Sequence, residues 1–96
     1  MFEPLDPLLH SQLRLAVMSL LMNAAEADFN LIKEKTNATS GNLSVQLNKL
    51  KNAGYIKVHK TFKDNYPHTT CRITEKGIDA FEIYLNALRS YIKPTD

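Results

Sequence analysis

The fold of this chain is decided by residues 39–54, whose sequence is TSGNLSVQLNKLKNAG. Read as a helix, this stretch places Leu43, Leu47 and Leu50 on one face, at the spacing of an apolar stripe that packs into a core. The opposite face is polar and basic. The stretch opens with side chains that cap helix N-termini and closes with Gly54, a helix stop signal. We therefore predict an amphipathic helix with an exposed polar face.

The segments around this helix predict a winged arrangement. A shorter helix is expected over residues 30–35, only a few residues before it, and this spacing is typical of a helix-turn-helix whose second helix lies in the DNA major groove. Two strands are expected afterwards, over residues 55–62 and 67–73, joined by a turn at residues 63–66. Pro67 favours an edge position for the second strand, in a two-stranded hairpin. The hairpin, with Ile56, Val58 and Phe62 expected on one face, would be the wing.

Apolar helices are expected at both ends of the chain. The first, over about residues 10–23, is apolar around nearly its whole circumference and needs cover on more than one side. Residues 27–29 predict a stub of strand. The last helix begins near Thr74, ends at Pro94, and carries apolar residues at the 3-4-3-4 spacing of a helix-pairing seam. The predicted fold class is mainly α with a small β-hairpin (α+β), a winged helix-turn-helix with an extra C-terminal helix.

Length and charge agree with a single nucleic-acid-binding domain. Ninety-six residues suit one domain over residues 1–96. The net charge of +2 is unevenly divided, because residues 1–29 hold one base and four acids, residues 30–73 hold eight bases and two acids, and residues 74–96 hold three bases and four acids. The positive charge is thus confined to the helix-turn-helix and hairpin, as expected of a face that meets phosphates. A solvated lysine-rich surface is the alternative.

Other motifs are missing from the sequence. A single cysteine, Cys71, cannot form an internal disulfide, and no apolar run is long enough for a membrane helix, so we expect a reduced, cytoplasmic protein without a membrane partner. The histidines lack a metal-ligand spacing, although His59 and His68 would chelate a metal if they faced each other across the hairpin. Phosphate loops, nucleophile elbows and metalloprotease motifs are absent. We therefore expect no metal, no cofactor and no enzyme activity.

The candidate DNA-binding residues fall in two regions. At the start of the central helix, free N–H groups and short polar side chains can hold a phosphate, while Asn, Gln, Lys and Val on its polar face can meet base edges. In the hairpin, polar and basic residues would follow the DNA backbone or enter a minor groove, the alternative being a solvated turn. The candidates are Thr39, Ser40, Gly41, Asn42, Ser44, Val45, Gln46 and Lys49 in the helix, and Lys60, Lys63, Asn65, His68 and Arg72 in the hairpin.

Several phrases of the sequence resemble those of a known family. They are LDPLLHSQLR (5–14), ADF (27–29), SGNLS (40–44), LNKLKNAGYI (47–56) and PHTTCRITEKG (67–77). Together they resemble the small stand-alone winged-helix transcriptional regulators related to the MarR and ArsR groups, over roughly residues 5–92. The most specific part is Leu-x-x-Leu-x-x-Ala-Gly-Tyr-Ile, followed after a hairpin by Ile-Thr-x-x-Gly.

The resemblance implies a homodimer that binds a pseudo-palindromic duplex, with the recognition helix at residues 40–53 and the wing at residues 60–70. The two copies would pair through their first and last helices, and the implied interface residues are Leu13, Val17, Leu20, Ile78, Phe81, Leu85, Leu88 and Ile92. Relatives often carry His where this chain has Gln46, and arginines where its wing tip has residues 64–68. The cysteine-rich motif of metal-sensing relatives is absent, so metal sensing does not carry over.

We therefore predict a sequence-specific, double-stranded DNA-binding transcriptional regulator. The alternative is a winged-helix module that binds a partner protein without specific DNA binding, which the acidic ends and the apolar first and last helices favour. The sequence does not indicate an operator, the sign of regulation or a small-molecule effector.

Overall fold

The computed structural model describes residues 2–92, which form four helices and one three-stranded antiparallel sheet. The elements are α1 (Gln12–Met22), β1 (Ala27–Asp28), α2 (Phe29–Thr36), α3 (Ser40–Asn52), β2 (Ile56–Lys63), β3 (Tyr66–Ile73) and α4 (Glu75–Ile92). This is the predicted winged helix, mainly helical and with a C-terminal helix. The predicted stop at Pro94 lies outside the described residues. Within residues 2–92, no helix is both long and apolar enough to cross a membrane.

The sheet differs from the predicted two-stranded hairpin. Its strand order is β1-β3-β2, because Ala27 and Asp28 pair with Cys71 and Thr70 of β3. The strand that begins near Pro67 is therefore central, and the predicted edge position is wrong for the strand as a whole. The two residues of β1 do not extend to Pro67, whose neighbour is on β2, so a residue without an N–H group is tolerated there.

The wing is a hairpin that extends beyond the helices. Lys63 pairs with Tyr66, and the intervening Asp64 and Asn65 have φ angles of 52° and 67°, as a two-residue hairpin turn of the favoured hand requires. Phe62 lies on the same face as Ile56 and Val58, as predicted, but it is 78% exposed because the core ends before the wing tip. The register also separates the two hairpin histidines from each other, since His59 lies opposite Thr70 and His68 lies opposite Thr61.

The helix-turn-helix corner is set by local backbone signals. Asn37 adopts the left-handed conformation with φ of 56° and reverses the chain after α2. Thr39 then caps α3, its Oγ1 accepting the Asn42 N–H at 3.2 Å. Gly54, with φ of 80°, ends α3 by the same left-handed device. Asn37 and Thr39 thus shape the turn between α2 and α3, and Gly54 sets where α3 ends.

The core is built on the apolar stripe of α3. Leu43, Leu47 and Leu50 are at most 4% exposed, which confirms the face predicted to be buried. They pack in one cluster with residues from every layer of the fold, among them Leu9, Val17, Met18, Leu21, Ile32, Ile56, Cys71, Phe81 and Tyr84. The polar face of α3 is therefore turned outward by the burial of its leucines.

The start of α4 is locked to the end of α3. Thr74 Oγ1 donates to the Gly54 carbonyl at 2.6 Å and accepts the Gly77 N–H at 3.0 Å. A Cβ atom at Gly77 would lie 2.1 Å from the Tyr55 carbonyl oxygen, so only glycine fits at this position. The Ile-Thr-x-x-Gly phrase thus has a structural reason, since it joins the wing to α4 in minimal space.

The residues before α1 run along α4. The Phe2 ring stacks on Tyr91 with a centroid distance of 4.8 Å, and His10 Nδ1 lies 3.0 Å from the Tyr84 hydroxyl. Leu9, which lies between Phe2 and His10 in the sequence, is fully buried. The N-terminal segment therefore belongs to the packed structure and holds α4 in place together with α1.

Candidate nucleic-acid interface

The outward face of α3 carries most of the predicted DNA-binding residues. Exposed there are Ser40, Gly41, Asn42, Ser44, Val45 and Lys49, and Gln46 is half-buried. Val45 is 50% exposed although it is apolar, and it lies among polar side chains. The structure thus brings the predicted helix residues together on one surface.

The N-terminus of α3 is open. Its first intrahelical hydrogen bond runs from the Leu43 N–H to the Thr39 carbonyl, and the Asn42 N–H is used by the Thr39 side chain. The N–H groups of Ser40 and Gly41 precede these and have no place in the helical ladder. A Cβ atom at Gly41 would meet nothing within 4 Å, so the fold itself does not require glycine there. Two free donors and an unobstructed approach suit an anionic group.

The wing divides its predicted residues between two faces. Alternate residues of a strand point to opposite sides of the sheet. Lys60 lies on the side that faces α3, where with Thr69, Ser44 and Asn48 it lines a cleft of about 230 Å³. From the pairing register, Lys63, His68 and Arg72 lie on the opposite face, and Asn65 lies in the turn. The hairpin candidates are therefore not one cluster, and Lys60 is the one next to α3.

The opposite face of the sheet forms a second basic region. A shallow groove of about 630 Å³ is lined there by side chains that include Lys51, Lys57, His59 and Arg72, with Glu26 at its border. Asn48, in the cleft on the α3 side, was also not among the predicted contacts. Helical and strand periodicity would have assigned both Asn48 and Lys57 to these surfaces.

Arg14 of α1 reaches the outward face of α3, which sequence reasoning missed. Its Nε donates to the Leu8 carbonyl at 2.5 Å, and its Nη1 donates to Gln46 Oε1. Gln46 Nε2 in turn donates to Asn42 Oδ1 at 3.0 Å. In the sequence, Arg14 is the lone base of an acidic segment, and no local pattern connects it to a residue so far along the chain.

The residues implied as a dimer interface are also divided. Val17 is fully buried and Phe81 is 8% exposed, so both belong to the core of the chain itself. The implied residues that are half-buried are Leu13, Leu20, Ile78, Leu85 and Leu88. Ile92 is 75% exposed, and two further apolar residues of α4, Ile83 and Tyr91, are also exposed. The apolar seam of α4 is thus partly used by the chain's own packing.

Two ionisable groups beneath this surface have shifted pKa values. The hydrogen bond from the Tyr55 hydroxyl to Asp6, at 2.5 Å, together with burial and the charge of Asp6, raises the pKa of Tyr55 to about 12. Burial raises the pKa of Cys71 to about 11. Cys71 is 1% exposed, as the prediction of a core thiol requires, and its protonated form is a poor nucleophile.

Comparisons with known proteins agree with this geometry. The chain matches the family described as "Winged helix DNA-binding domain" over residues 13–92. It is 36% identical over 76 residues to the uncharacterized protein MJ0432 of Methanocaldococcus jannaschii, which covers 79% of this chain and 83% of the relative. The fold also matches a transcriptional regulator homologue from Pyrococcus horikoshii OT3, with a TM-score of 0.81 and 29% identity over 88% of this chain and 84% of that one.

A MarR-family transcriptional regulator from Silicibacter pomeroyi has the same fold, with a TM-score of 0.68. Its identity is 13%, over 93% of this chain and 62% of that chain, so this likeness concerns the fold alone. The fold and the exposed face of α3 define a small winged-helix DNA-binding domain. The chain belongs to the winged helix DNA-binding domain family, which confirms the resemblance inferred from its motifs.

Proposed function

We propose that this protein is a sequence-specific transcriptional regulator that binds double-stranded DNA as a homodimer. The observation that carries the proposal is the division of α3 into a leucine face at most 4% exposed and a polar face open to solvent. An exposed helix of this kind in a winged-helix frame suits the major groove. Because the protein acts on DNA, we propose a cytoplasmic location.

In this proposal α3 supplies both anchoring and sequence reading. The free N–H groups of Ser40 and Gly41 hold a backbone phosphate, helped by the hydroxyls of Thr39 and Ser44. Further along the same face, side chains that can reach base edges follow at helical spacing, and these are Asn42, Val45, Gln46 and Lys49. Phosphate contacts would set the register, and base contacts would set the sequence preference.

The wing contributes mainly to affinity. Lys60 lies beside α3 and is placed to meet a phosphate at the edge of the same groove. Lys63, Asn65, His68 and Arg72 would contact the same DNA as Lys60 only where the hairpin enters a minor groove, because both faces of the hairpin then meet the groove walls. Lysine contacts to phosphate depend strongly on salt and little on sequence.

Pairing of two copies would use α1 and α4. The half-buried Leu13, Leu20 and Leu85 and the exposed Ile92 are apolar residues on these helices that the chain leaves partly uncovered. A twofold arrangement would use the same patch on both copies and direct two α3 helices to half-sites about one helical turn apart.

Binding of labelled DNA measured by fluorescence anisotropy tests the proposal. A pool of random duplexes and the DNA upstream of the protein's own gene are titrated over a range of salt concentrations. We expect tight, salt-dependent binding that prefers the upstream DNA, since specific sites are typically bound ~10³-fold or more tighter than random ones. Equal and weak binding, with Kd of ~10⁻⁴–10⁻⁶ M, would contradict sequence-specific regulation.

The second candidate function is a protein-interaction module, which one observation favours. The wing tip carries two exposed aromatic side chains, Phe62 and Tyr66, which are 78% and 74% exposed. Exposed aromatic residues are common anchors in protein interfaces. A complex with a partner protein that survives high salt, together with weak and sequence-independent DNA binding, would support this candidate over the first.

A further inference from the structure

We propose that Arg14 determines DNA sequence preference without reading a base itself, by fixing the direction of the side-chain amides of Gln46 and Asn42. The inference rests on the proposed function and names the chemical group that the face of α3 presents to DNA. Arg14 is a positioning residue, and Asn42 presents its amino group outward because of it.

The geometry is a chain of hydrogen bonds from α1 to the reading face. The Arg14 guanidinium donates to Gln46 Oε1, and Gln46 Nε2 donates to Asn42 Oδ1 at 3.0 Å. Gln46 and Asn42 are one helical turn apart, on the face expected to meet the major groove. Arg14 is half-buried, Gln46 is half-buried, and Asn42 is exposed, so the chain leads from the packed side of the interface to solvent.

The direction of this chain follows from the chemistry of arginine. Arg14 carries only donors, so the group of Gln46 that faces it must be the oxygen. The Gln46 amino group then faces Asn42, where only an oxygen can accept it. Consequently, the Asn42 amino group is turned outward with its N–H donors unused by this network. Without Arg14, either amide could rotate by half a turn and present an oxygen or an amino group.

Arg14 is itself held in place. Its Nε donates to the Leu8 carbonyl at 2.5 Å, and the N–H of Leu8 donates to Asp6 Oδ1 at 2.9 Å. The other carboxylate oxygen of Asp6 accepts the Tyr55 hydroxyl at 2.5 Å. The planar guanidinium is therefore anchored by the turn before α1, and little rotamer freedom remains to be lost when DNA binds.

A fixed amino group at position 42 has a defined base preference. In the major groove guanine presents two acceptors, N7 and O6, whereas cytosine presents an amino donor, and adenine presents one acceptor and one donor. An Asn42 amide free to turn would pair with adenine through both of its atoms. With its oxygen turned toward Gln46 and its amino group turned outward, Asn42 should instead favour guanine and reject cytosine.

The first test is selection from a random duplex library with the wild type, Arg14→Lys and Arg14→Gln. We expect the wild type to prefer guanine over cytosine about tenfold at one position of each half-site. Arg14→Lys retains the charge and the donor-only chemistry and should keep most of this preference. Arg14→Gln, whose amide can donate or accept, should lose it. Equal base preferences in wild type and Arg14→Gln would overturn the proposal.

A charge effect gives a different result in the same experiment. If Arg14 merely contacted a phosphate, Arg14→Gln would weaken binding equally for all sequences and reduce the salt slope by about one. Its base preferences would then be unchanged, which also counts against the proposal. Thermal unfolding of each variant confirms that the comparison is between folded proteins.

The second test does not involve DNA. In the ¹⁵N-labelled free protein, a side-chain N–H of Gln46 should exchange slowly with water, and those of Asn42 should exchange fast. Arg14→Gln should abolish the protection at Gln46. Unprotected Gln46 in the wild type would overturn the role of Arg14 even if DNA binding is sequence-specific. If the Gln46 side-chain N–H is protected but DNA binding shows no sequence preference, the proposed function is overturned, and with it the role of Arg14 in specificity.

The substitution Gln46→Glu should reverse the orientation of the Asn42 amide. The introduced carboxylate accepts from Arg14 and also from the Asn42 amino group, so the Asn42 oxygen should turn outward. Preference at the same position should move from guanine toward cytosine or adenine, whose amino groups donate. Comparing ratios between duplexes removes the general loss of affinity caused by the added negative charge. If the variant keeps the preference for guanine, the proposed chain of hydrogen bonds from Arg14 to Asn42 is contradicted.

Discussion

The helix α3 and the tip of the wing are built in opposite ways. Every third or fourth residue of α3 is buried in the core, both ends are capped, and its polar amides are held by Arg14. At the wing tip, Phe62 and Tyr66 are more than 70% exposed, and the turn between the strands is held only by its own hairpin. A rigid surface suits base reading, whereas a hairpin beyond the core can adapt to the DNA backbone.

The largest contrast concerns stability. Leu47→Ala in α3 removes a side chain that is 4% exposed and should lower the free energy of unfolding by about 2–5 kcal/mol. Phe62→Ala at the wing tip should change it by less than about 0.5 kcal/mol. Chemical denaturation followed by circular dichroism measures both. A wing-tip loss as large as the α3 loss would show that the tip packs in solution.

Substitution of two glycines compares a position where glycine is needed for packing with one where the fold leaves space open to a ligand. Gly77→Ala should destabilise the protein by about 1–3 kcal/mol or more, because the added Cβ meets the Tyr55 carbonyl. Gly41→Ala meets nothing in the free protein and should stabilise it by about 0.5–1 kcal/mol. Thermal unfolding tests both changes.

The same Gly41→Ala variant tests whether the N-terminus of α3 contacts DNA. If a phosphate approaches the N-terminus of α3, the variant should bind DNA more weakly although it is more stable. Anisotropy titrations measure this, with the wild type as reference. Unchanged affinity would place the phosphate contacts elsewhere.

Replacing a base-reading residue of α3 by alanine should affect DNA binding differently from replacing a phosphate-binding residue of the wing. Gln46→Ala should cost about 1–3 kcal/mol with the preferred duplex and relax specificity, without unfolding the domain. Lys63→Ala in the wing should weaken binding to all sequences alike and reduce the salt slope by about one. Lys49→Ala should resemble Gln46→Ala. Intact DNA binding in both α3 variants would show that the reading face is assigned wrongly.

The base of the wing is held by a tertiary contact although its tip is not. Because the folded protein raises the pKa of Tyr55 from 10.0 to about 12, this contact stabilises the fold fully below pH 10, and its contribution is lost as the pH rises from 10 to 12. Tyr55→Phe should lower stability by about 0.5–1.5 kcal/mol at neutral pH. The difference between wild type and variant should shrink over that pH range.

The titration of Cys71 must be separated from that of Tyr55 in this measurement. Its pKa is raised from 9.0 to about 11 by burial, so wild type and Tyr55→Phe both lose stability between pH 9 and 11 for this second reason. Only the difference between the two proteins isolates Tyr55. A difference that stays constant to pH 12 would contradict the hydrogen bond to Asp6.

The elements of the fold were largely predictable because their signals are local. Periodicity, the candidate N-caps and the stop at Gly54 predicted a helix within residues 39–54, and the structure has it over Ser40–Asn52. The stub of strand predicted over residues 27–29 is present as β1 (Ala27–Asp28), but its pairing with Cys71 was not predictable, because that pairing depends on distant chain segments. Alternation correctly predicted that Phe62 shares a face with Ile56 and Val58, but it does not indicate where the core ends, and Phe62 is exposed.

The sequence by itself determined which face of α3 is buried, where its helix begins and ends, and which segment carries the positive charge. These properties follow from the order of residues within one element. Only the tertiary structure decided that Arg14 meets Gln46, that Lys60 faces α3 while Arg72 does not, and that Val17 lies in the chain's own core. Such contacts depend on how several elements pack at once, and close packing fixes that arrangement without a local pattern in the sequence.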